Sequence, residues 1–294
     1  MLEGLCAFPL TPVSEEGVDE SALTGLISRI VEAEVNSIGV LGSTGLYPYL
    51  DRAERSTVLE VAVAAASGTP VIAGIGALRT REVLAYAQDA QAVGAAGLLL
   101  APVSYHRLSE EEVYGLYRDV ASAASVPVLV YDNPGTTGFT FTDELYSRIT
   151  QLPNITGIKI PPPAAEVGHR VTALRSVLPG SVSVGISGDW AAAEALLAGA
   201  ECWYSVIGGV FPATAQAIVD AAVAGHREQA QALSQDLEPI WALFRRYGSL
   251  PVVAAIAETF GWVQPPSLPL PLLGLPAKGR TELEAALHTT GLAG

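Results

Sequence analysis

The chain of 294 residues carries 30 acidic and 16 basic side chains, which gives a formal net charge of −14 at pH 7. This acidic balance, without any basic run, argues against nucleic acid and anionic membranes as partners and favours small molecules. Half of the residues are hydrophobic, enough for a sizeable core, and every long apolar run is interrupted before membrane-spanning length. The start, MLEGLCAFPL, lacks the charged n-region and long h-region of a signal peptide, so we expect a cytoplasmic protein.

Short β-rich runs alternate with alanine-rich helical patterns along most of the chain. The predicted strands are, in chain order, Gly4 to Phe8, Ser37 to Leu41, Pro70 to Gly74, Gly97 to Ala101, Pro127 to Tyr131, Ile155 to Ile160, Ser181 to Gly185 and Cys202 to Val206. Such alternation is typical of repeated βα units with a parallel sheet. Eight units predict an α/β fold, a closed (β/α)8 TIM barrel over residues 1–225. An open doubly wound sheet would more naturally carry a GxGxxG turn, which is missing.

Several helix starts are indicated by their capping residues. Asp19 precedes an apolar run with helical spacing, and Ser109 is followed by Glu112 in the arrangement of a capping box. Further helices are predicted to start at Thr80, Thr142 and Asp189.

Helical patterns continue after the eighth unit and predict a C-terminal helical extension over residues 226–294. They run from Arg227 to Arg246, from Leu250 to Phe260 and near Arg280 to His288. The connector before the last pattern, QPPSLPLPLLGLP, can be interpreted as a polyproline II linker, but its leucines favour packing on apolar surface.

The run NITGIKIPPP, from Asn154 to Pro163, places a lysine inside an apolar strand. Lys159 is one of only two lysines, while the other fourteen basic residues are arginines. It ends the sixth strand, where barrel enzymes hold their catalytic groups. Burial disfavours the ammonium form of a lysine, and a neutral amine adds to ketones to form a Schiff base. The structural alternative is a lysine that snorkels to solvent or pairs with a carboxylate.

Two other strand ends carry hydroxyl groups. Tyr131 ends the fifth strand in YDNPGTTG, where its hydroxyl can relay protons near an imine or simply pack in the barrel. Ser43 and Thr44 lie in the GSTG turn after the second strand. They can bind a small carboxylate or extend the relay, although GSTG is also an ordinary turn sequence.

Together these three motifs resemble the dihydrodipicolinate synthase and N-acetylneuraminate lyase family of class I, pyruvate-type aldolases and dehydratases. GSTGLYPYLDRAER is similar to the family's GTTGE-type signature, YDNPGTTG to its YNxP signature and GIKIP to its GxK signature, over nearly the whole chain. The resemblance implies a lyase without a cofactor that acts on pyruvate or another 2-keto acid and an aldehyde. It also implies a homotetramer built as a dimer of dimers.

The resemblance assigns roles to individual residues. Lys159 falls on the Schiff-base lysine and Tyr131 on the tyrosine that relays protons. Ser43 and Thr44 fall on the hydroxyl pair that contacts the keto-acid carboxylate and joins the relay, with Thr44 expected to act in catalysis. Tyr105, next to an apparent one-residue insertion, matches a catalytic tyrosine that reaches a neighbouring subunit's site. Two further matches, Gly188 and Tyr204, are expected to line the pocket.

The sequence departs from the family pattern at three places. Thr136 stands where the synthases have an arginine that binds the carboxylate of the second substrate. A threonine cannot form that bidentate ion pair, and the loss is worth about 2–5 kcal/mol of recognition. Leu46 replaces the glutamate of GTTGE before an aromatic YPY segment, which is more similar to 2-keto-3-deoxy sugar-acid and 4-hydroxy-2-oxoglutarate aldolases. Three prolines follow Ile160 in place of acidic and small residues.

These departures predict a lyase that does not carry out true dihydrodipicolinate synthesis. Three alternatives stay open: an authentic 4-hydroxy-tetrahydrodipicolinate synthase, a barrel that binds a keto acid without catalysis, and a metal-dependent barrel. The last is disfavoured because the four histidines show no metal-ligand spacing and no HExxH motif occurs, so we expect no metal site.

Overall fold

The computed structural model describes residues 3–163 and 166–293. Its eight parallel strands are β1 (Gly4–Ala7), β2 (Ser37–Val40), β3 (Val71–Gly74), β4 (Gly97–Leu100), β5 (Val128–Tyr131), β6 (Ile155–Ile160), β7 (Ser183–Ile186) and β8 (Cys202–Ser205). They pair in chain order, and β8 closes the barrel against β1 with Cys6 opposite Tyr204. The predicted barrel is therefore confirmed. The bounds of seven strands agree with the prediction to within one residue, whereas the seventh strand begins at Ser183, two residues after the predicted Ser181.

Helices surround the barrel and then continue beyond it. The barrel helices are α1 (Glu20–Glu32), α2 (Arg52–Ala65), α3 (Thr80–Ala92), α4 (Glu110–Ala123), α5 (Asp143–Ile149), α6 (Val167–Val177), α7 (Ala192–Leu197) and α8 (Pro212–Val223). The C-terminal helices are α9 (Arg227–Asp236), α10 (Glu238–Tyr247), α11 (Ser249–Thr259) and α12 (Ala277–Thr289). No described helix combines the length and the apolar character that a bilayer crossing requires.

The predicted caps of α1, α4 and α5 are formed. The Asp19 carboxylate accepts a hydrogen bond from the backbone N–H of Ala22, and the Thr142 hydroxyl accepts one from Leu145. Ser109 and Glu112 form the complete capping box at α4. These bonds satisfy N–H groups that the first turn of a helix leaves unpaired.

The pattern from Arg227 to Arg246 forms two helices, α9 and α10. The break lies at Leu237, and Pro239 occupies the first turn of α10, where its missing N–H removes no helical hydrogen bond. The predicted division between residues 225 and 226 falls between α8 and α9 and stays a prediction.

The proline-rich connector lies on the C-terminal helices. Leu268 and Leu275 are buried, as the leucine content favoured, while Leu270 and Leu273 are exposed. The Glu258 carboxylate of α11 accepts hydrogen bonds from the backbone and hydroxyl of Ser267. This carboxylate therefore fixes the start of the connector.

Candidate active site

Lys159 lies at the bottom of an aromatic cup at the C-terminal end of β6. Its side chain is 4% exposed, and its Nζ lies 4.1 Å from the ring centroids of both Phe8 and Tyr131. The Tyr204 ring centroid lies 5.5 Å from the same nitrogen. Tyr131 is opposite Lys159 in the pairing of β5 with β6. The parallel ladder therefore holds the amine and the phenol side by side.

Two glycines make room for the rings of this cup. A Cβ atom on Gly39 would lie 2.2 Å from Cζ of Phe8, and one on Gly185 would lie 2.3 Å from Cε2 of Tyr204. Both distances are far below van der Waals contact, so the rings occupy space that only a missing side chain leaves free. The family resemblance predicts Tyr204 at the pocket, whereas no sequence motif points to Phe8.

Two polar side chains, those of Ser43 and Asn133, meet at the hydroxyl of Tyr131. Ser43 Oγ lies 3.0 Å from Tyr131 Oη, and Asn133 Nδ2 donates to the same phenol oxygen over 3.0 Å. The amide also donates to Ser43 Oγ over 3.4 Å. Thr44 lines the cavity beside Ser43, but the bond to Tyr131 belongs to Ser43. Asn133 has no role in the sequence-based prediction, although it lies within YDNPGTTG.

The loop after β2 is bent sharply, which brings Ser43 to the phenol. Leu41 and Leu46 both have positive φ, at 55° and 60°, and a Cβ on Gly45 would lie 2.7 Å from the backbone nitrogen of Leu41. The Thr11 hydroxyl donates to the carbonyl of Gly45. Such backbone strain persists only where the surroundings enforce it.

The predicted helix start at Asp189 is confirmed, because a 3-10 turn spans Asp189–Ala191 and leads into α7, but the Asp189 side chain does not cap it. Its carboxylate points inward and accepts hydrogen bonds from Trp203 Nε1 and from the backbone N–H groups of Val206 and Ile207. The residue is 2% exposed. Burial raises the pKa of Asp189 to about 6, against the opposing effect of these donors and of Lys159. The carboxylate oxygens bind these three donors from β8 and the loop after it, and they make no hydrogen bond to the helical turn that Asp189 begins.

Two thiols lie in the barrel interior near Tyr204. Cys6 and Cys202 are both buried and free. Burial raises the pKa of Cys6 to about 11 and the pKa of Cys202 well above its ordinary value. Burial also raises the pKa of the Tyr204 phenol well above its usual range. These groups are therefore neutral at pH 7, and the thiols are poor nucleophiles.

A cavity of about 650 Å³ opens above Lys159. Its wall includes the predicted residues Ser43, Thr44, Tyr131, Thr136, Lys159, Gly188 and Tyr204. The C-terminal helices contribute Phe244 and Leu250 to the same wall. The extension thus completes a pocket whose chemistry lies on the barrel, which is a typical place for a substrate.

Gly188 and Tyr105 differ in how they relate to this cavity. Gly188 has a φ of 83°, and a Cβ there would lie 2.5 Å from Cγ of Pro162, another wall residue. Tyr105 is 89% exposed, does not line the cavity and packs edge-on against His106. Within one chain, the structure brings Gly188 to the site and leaves Tyr105 outside it.

The described residues contain no group of three or more His, Cys, Asp and Glu side chains arranged to hold a metal ion.

Comparisons with known proteins agree on one family. The sequence profile described as "Dihydrodipicolinate synthetase family" matches residues 1–290. A 4-hydroxy-tetrahydrodipicolinate synthase from Methylococcus capsulatus is 32% identical, over 99% of this chain and 100% of that protein. Another from Synechococcus elongatus is 33% identical, over 96% of this chain and 94% of that protein.

Solved structures give the same result. A crystal structure of a dihydrodipicolinate synthase from Agrobacterium tumefaciens superposes with a TM-score of 0.95 at 44% identity, over 98% of both chains. The chloride-inhibited dihydrodipicolinate synthase from Acinetobacter baumannii, complexed with pyruvate, has a TM-score of 0.92 at 30% identity, over 99% of both chains. The chain therefore belongs to the dihydrodipicolinate synthetase family, whose members are lyases and synthases of the class I aldolase type.

Proposed function

We propose that this enzyme forms a Schiff base between Lys159 and pyruvate or a related 2-keto acid. The observation that carries the proposal is the buried Lys159 amine, whose Nζ lies 4.1 Å from the Tyr131 ring centroid. The same cavity wall includes Ser43 and Asn133, the hydrogen-bond partners of the Tyr131 hydroxyl. None of the ion pairs among the described residues includes Lys159, so its buried amine is not held by a carboxylate and can add to a keto carbon. The Acinetobacter baumannii relative is described as complexed with pyruvate, which supports the choice of keto acid.

The proposed reaction balances without an oxidant or reductant. The Lys159 amine adds to the keto carbon, and loss of water leaves a protonated imine. Loss of a proton from the neighbouring carbon gives an enamine, whose electron pair forms a carbon–carbon bond to the carbonyl carbon of an aldehyde. The aldehyde oxygen takes up a proton, and water then hydrolyses the imine and releases the amine. The same steps in reverse cleave an aldol.

Tyr131 is the proposed proton relay for these steps. Its hydroxyl belongs to the cavity wall and bonds to Ser43, so a proton accepted from the substrate can be shared with the serine oxygen. Asn133 donates to the phenol oxygen and therefore leaves the phenol proton directed toward Ser43 or the substrate. Ser43 and Thr44 are the proposed contacts of the keto-acid carboxylate, next to the backbone N–H groups of the GSTG turn.

Thr136 supports a second substrate other than that of the dihydrodipicolinate synthases. It lines the cavity, and its hydroxyl donates to the carbonyl of Asn133. It offers no positive charge to a carboxylate. The relatives named 4-hydroxy-tetrahydrodipicolinate synthase, at about 30% identity, favour authentic synthase activity as the second candidate.

Assembly is part of the proposal. Tyr105 is an aromatic side chain that is 89% exposed near the barrel mouth, which fits a residue that is covered in a homotetramer and completes a partner's site.

Borohydride reduction in the presence of pyruvate tests the Schiff base. Because the chain has only two lysines, peptide mass analysis can assign the adduct unambiguously between Lys159 and Lys278. We expect one reduced three-carbon adduct on Lys159, its loss in Lys159→Ala, and its retention in the matched control Lys278→Ala, whose side chain is 74% exposed.

An adduct on Lys278, or none with any 2-keto acid, contradicts the proposal. An adduct without turnover of any aldol indicates the binding barrel, and loss of turnover on treatment with a chelator indicates the metal-dependent alternative.

A further inference from the structure

The cavity has more room than the keto acid needs. A three-carbon keto acid joined to Lys159 would occupy the aromatic cup and fill only part of the cavity of about 650 Å³. The remaining space must accept the substituent of the aldehyde. Its walls therefore reveal which aldehydes fit, provided that the proposed Schiff base at Lys159 is correct.

Charged groups are nearly absent from these walls. Among the cavity residues in the described ranges, Lys159 is the only one with a basic side chain and Asp189 the only one with a carboxylic acid. In the proposed imine, the Lys159 nitrogen is bonded to the keto acid and is not available to the aldehyde. The two oxygens of Asp189 already accept hydrogen bonds from Trp203, Val206 and Ile207. Within one chain, the described wall residues therefore provide no further cation to pair with a carboxylate on the aldehyde.

Apolar and aromatic side chains form the outer wall. Tyr49 is 48% exposed and Trp190 is 37% exposed, and both face the cavity. Val103, Phe244 and Leu250 complete this surface. Exposed aromatic side chains that border a concave site are typical of a surface that a ligand covers.

We infer that the aldehyde carries an uncharged, apolar substituent, and that an aromatic ring fits it best. The Tyr49 and Trp190 rings can contact a substrate ring edge-on or offset, as aromatic pairs prefer. A carboxylated aldehyde would lose its hydration at this wall without gaining an ion pair.

Arg245 is the cation to consider against this inference. Its guanidinium lies 5.9 Å from the ring centroid of Trp190, and it is ion-paired with Glu238. It is not a wall residue of the cavity. A role for Arg245 in binding a carboxylate would require that the Glu238 pair open.

Cleavage of two aldols by the full-length enzyme tests the inference. The phenyl substrate is 4-hydroxy-2-oxo-4-phenylbutanoate, and the carboxylated one is 4-hydroxy-2-oxoheptanedioate. Released pyruvate is measured with lactate dehydrogenase. We expect a kcat/KM at least about tenfold higher for the phenyl aldol, the smallest discrimination that an apolar pocket typically gives. Equal or higher kcat/KM for the carboxylated aldol, or cleavage of neither, overturns the inference.

Variants test which part of the cavity wall discriminates between the aldol substrates. In Trp190→Ala we expect the ratio of kcat/KM for the phenyl aldol to that for 4-hydroxy-2-oxopentanoate to fall about tenfold. The matched control Val223→Ala removes an exposed apolar side chain from α8 and should keep the wild-type ratio. An unchanged ratio in Trp190→Ala contradicts the aromatic wall.

The experiments distinguish failure of the inferred apolar aldehyde from failure of the proposed Schiff base. Pyruvate trapping on Lys159 with preferred cleavage of the carboxylated aldol overturns only the apolar aldehyde. If Arg245→Gln then removes that preference, Arg245 is the carboxylate site. Absence of trapping overturns the proposed function itself.

Discussion

Asp189 illustrates how one residue can link the site to the stability of the protein. Its buried carboxylate accepts three hydrogen bonds from β8 and the loop that follows. Burial nevertheless raises its pKa to about 6 from an ordinary value of 3.8. Between these two values the folded protein holds a proton on Asp189 that the unfolded chain has lost. This group therefore makes the protein less stable as the pH rises through that window.

The pH dependence of unfolding by urea measures this effect. The difference between 3.8 and about 6 corresponds to a loss of about 3 kcal/mol between pH 4 and pH 7 from this group. The free energy of unfolding plotted against pH should therefore slope downward between pH 4 and pH 7. In Asp189→Asn we expect the contribution of this carboxylate to that slope to vanish. We also expect a loss of about 1–3 kcal/mol in the free energy of unfolding, because an amide N–H would face the N–H of Ile207.

Asp236→Asn is the control because it removes an exposed carboxylate from α9. It should retain the wild-type slope. If the slope of Asp189→Asn equals that of the wild type, the carboxylate is ionised throughout the range and the assignment of its pKa is wrong.

At the scale of elements, the loops after β6 and β7 depend on each other. Pro161 and Pro162 line the cavity, and Pro162 lies over Gly188. The Ser187 backbone and hydroxyl both donate to the carbonyl of Ile160. The prolines after the lysine therefore form a rigid wall that is seated on the loop of the next strand.

Gly188→Ala should disturb this wall. The added methyl would lie 2.5 Å from Cγ of Pro162 in a backbone with a φ of 83°, so we expect a loss of about 1–3 kcal/mol in the free energy of unfolding. We also expect slower trapping of pyruvate, because displaced Pro162 narrows the cavity. Urea unfolding and the rate of borohydride inactivation measure the two effects.

Gly115→Ala is the matched control in α4, where an added Cβ meets no atom within 4 Å. It should stabilise the protein by about 0.5–1 kcal/mol, as alanine does in a helix, and leave trapping unchanged. Equal stabilities of Gly188→Ala and the wild type would contradict the packing of Pro162 on Gly188.

The elements also separate what the sequence can predict from what it cannot. Tyr131 and Lys159 were expected together because both end neighbouring strands, and strand order follows from the repeat of βα units. Asn133 and Asp189 lie in the short turns that follow β5 and β7, where the partner of a polar side chain depends on the backbone path and not on periodicity. Phe244 reaches the cavity from a helix far along the chain, a contact that no local pattern encodes.

For the whole molecule, the net charge of −14 is the dominant electrostatic feature. The ion pairs of the described residues lie largely at the surface, where each contributes little. Repulsion among the excess carboxylates opposes the compact state, and salt screens it. We therefore expect the urea midpoint at pH 7 to rise between 0.02 M and about 0.5 M NaCl, at a fixed protein concentration.

The control is the same measurement of the urea midpoint against NaCl concentration at a pH near the sequence pI of about 4.6. The net charge is then close to zero, so the rise of the midpoint with salt should disappear. A midpoint that falls with salt at pH 7 would show that the ion pairs outweigh the repulsion.

The register of β5 with β6 has a further consequence for how this enzyme can change. Tyr131 and Lys159 are fixed to each other by ladder hydrogen bonds, whereas the outer wall is built from loops and the C-terminal helices. Substitutions in the wall alter the space above the Lys159 amine and leave its spacing from the Tyr131 phenol intact. Under the proposed function, substitutions at wall residues such as Thr136 and Trp190 can change which aldehyde is accepted while the lysine and the tyrosine keep their places.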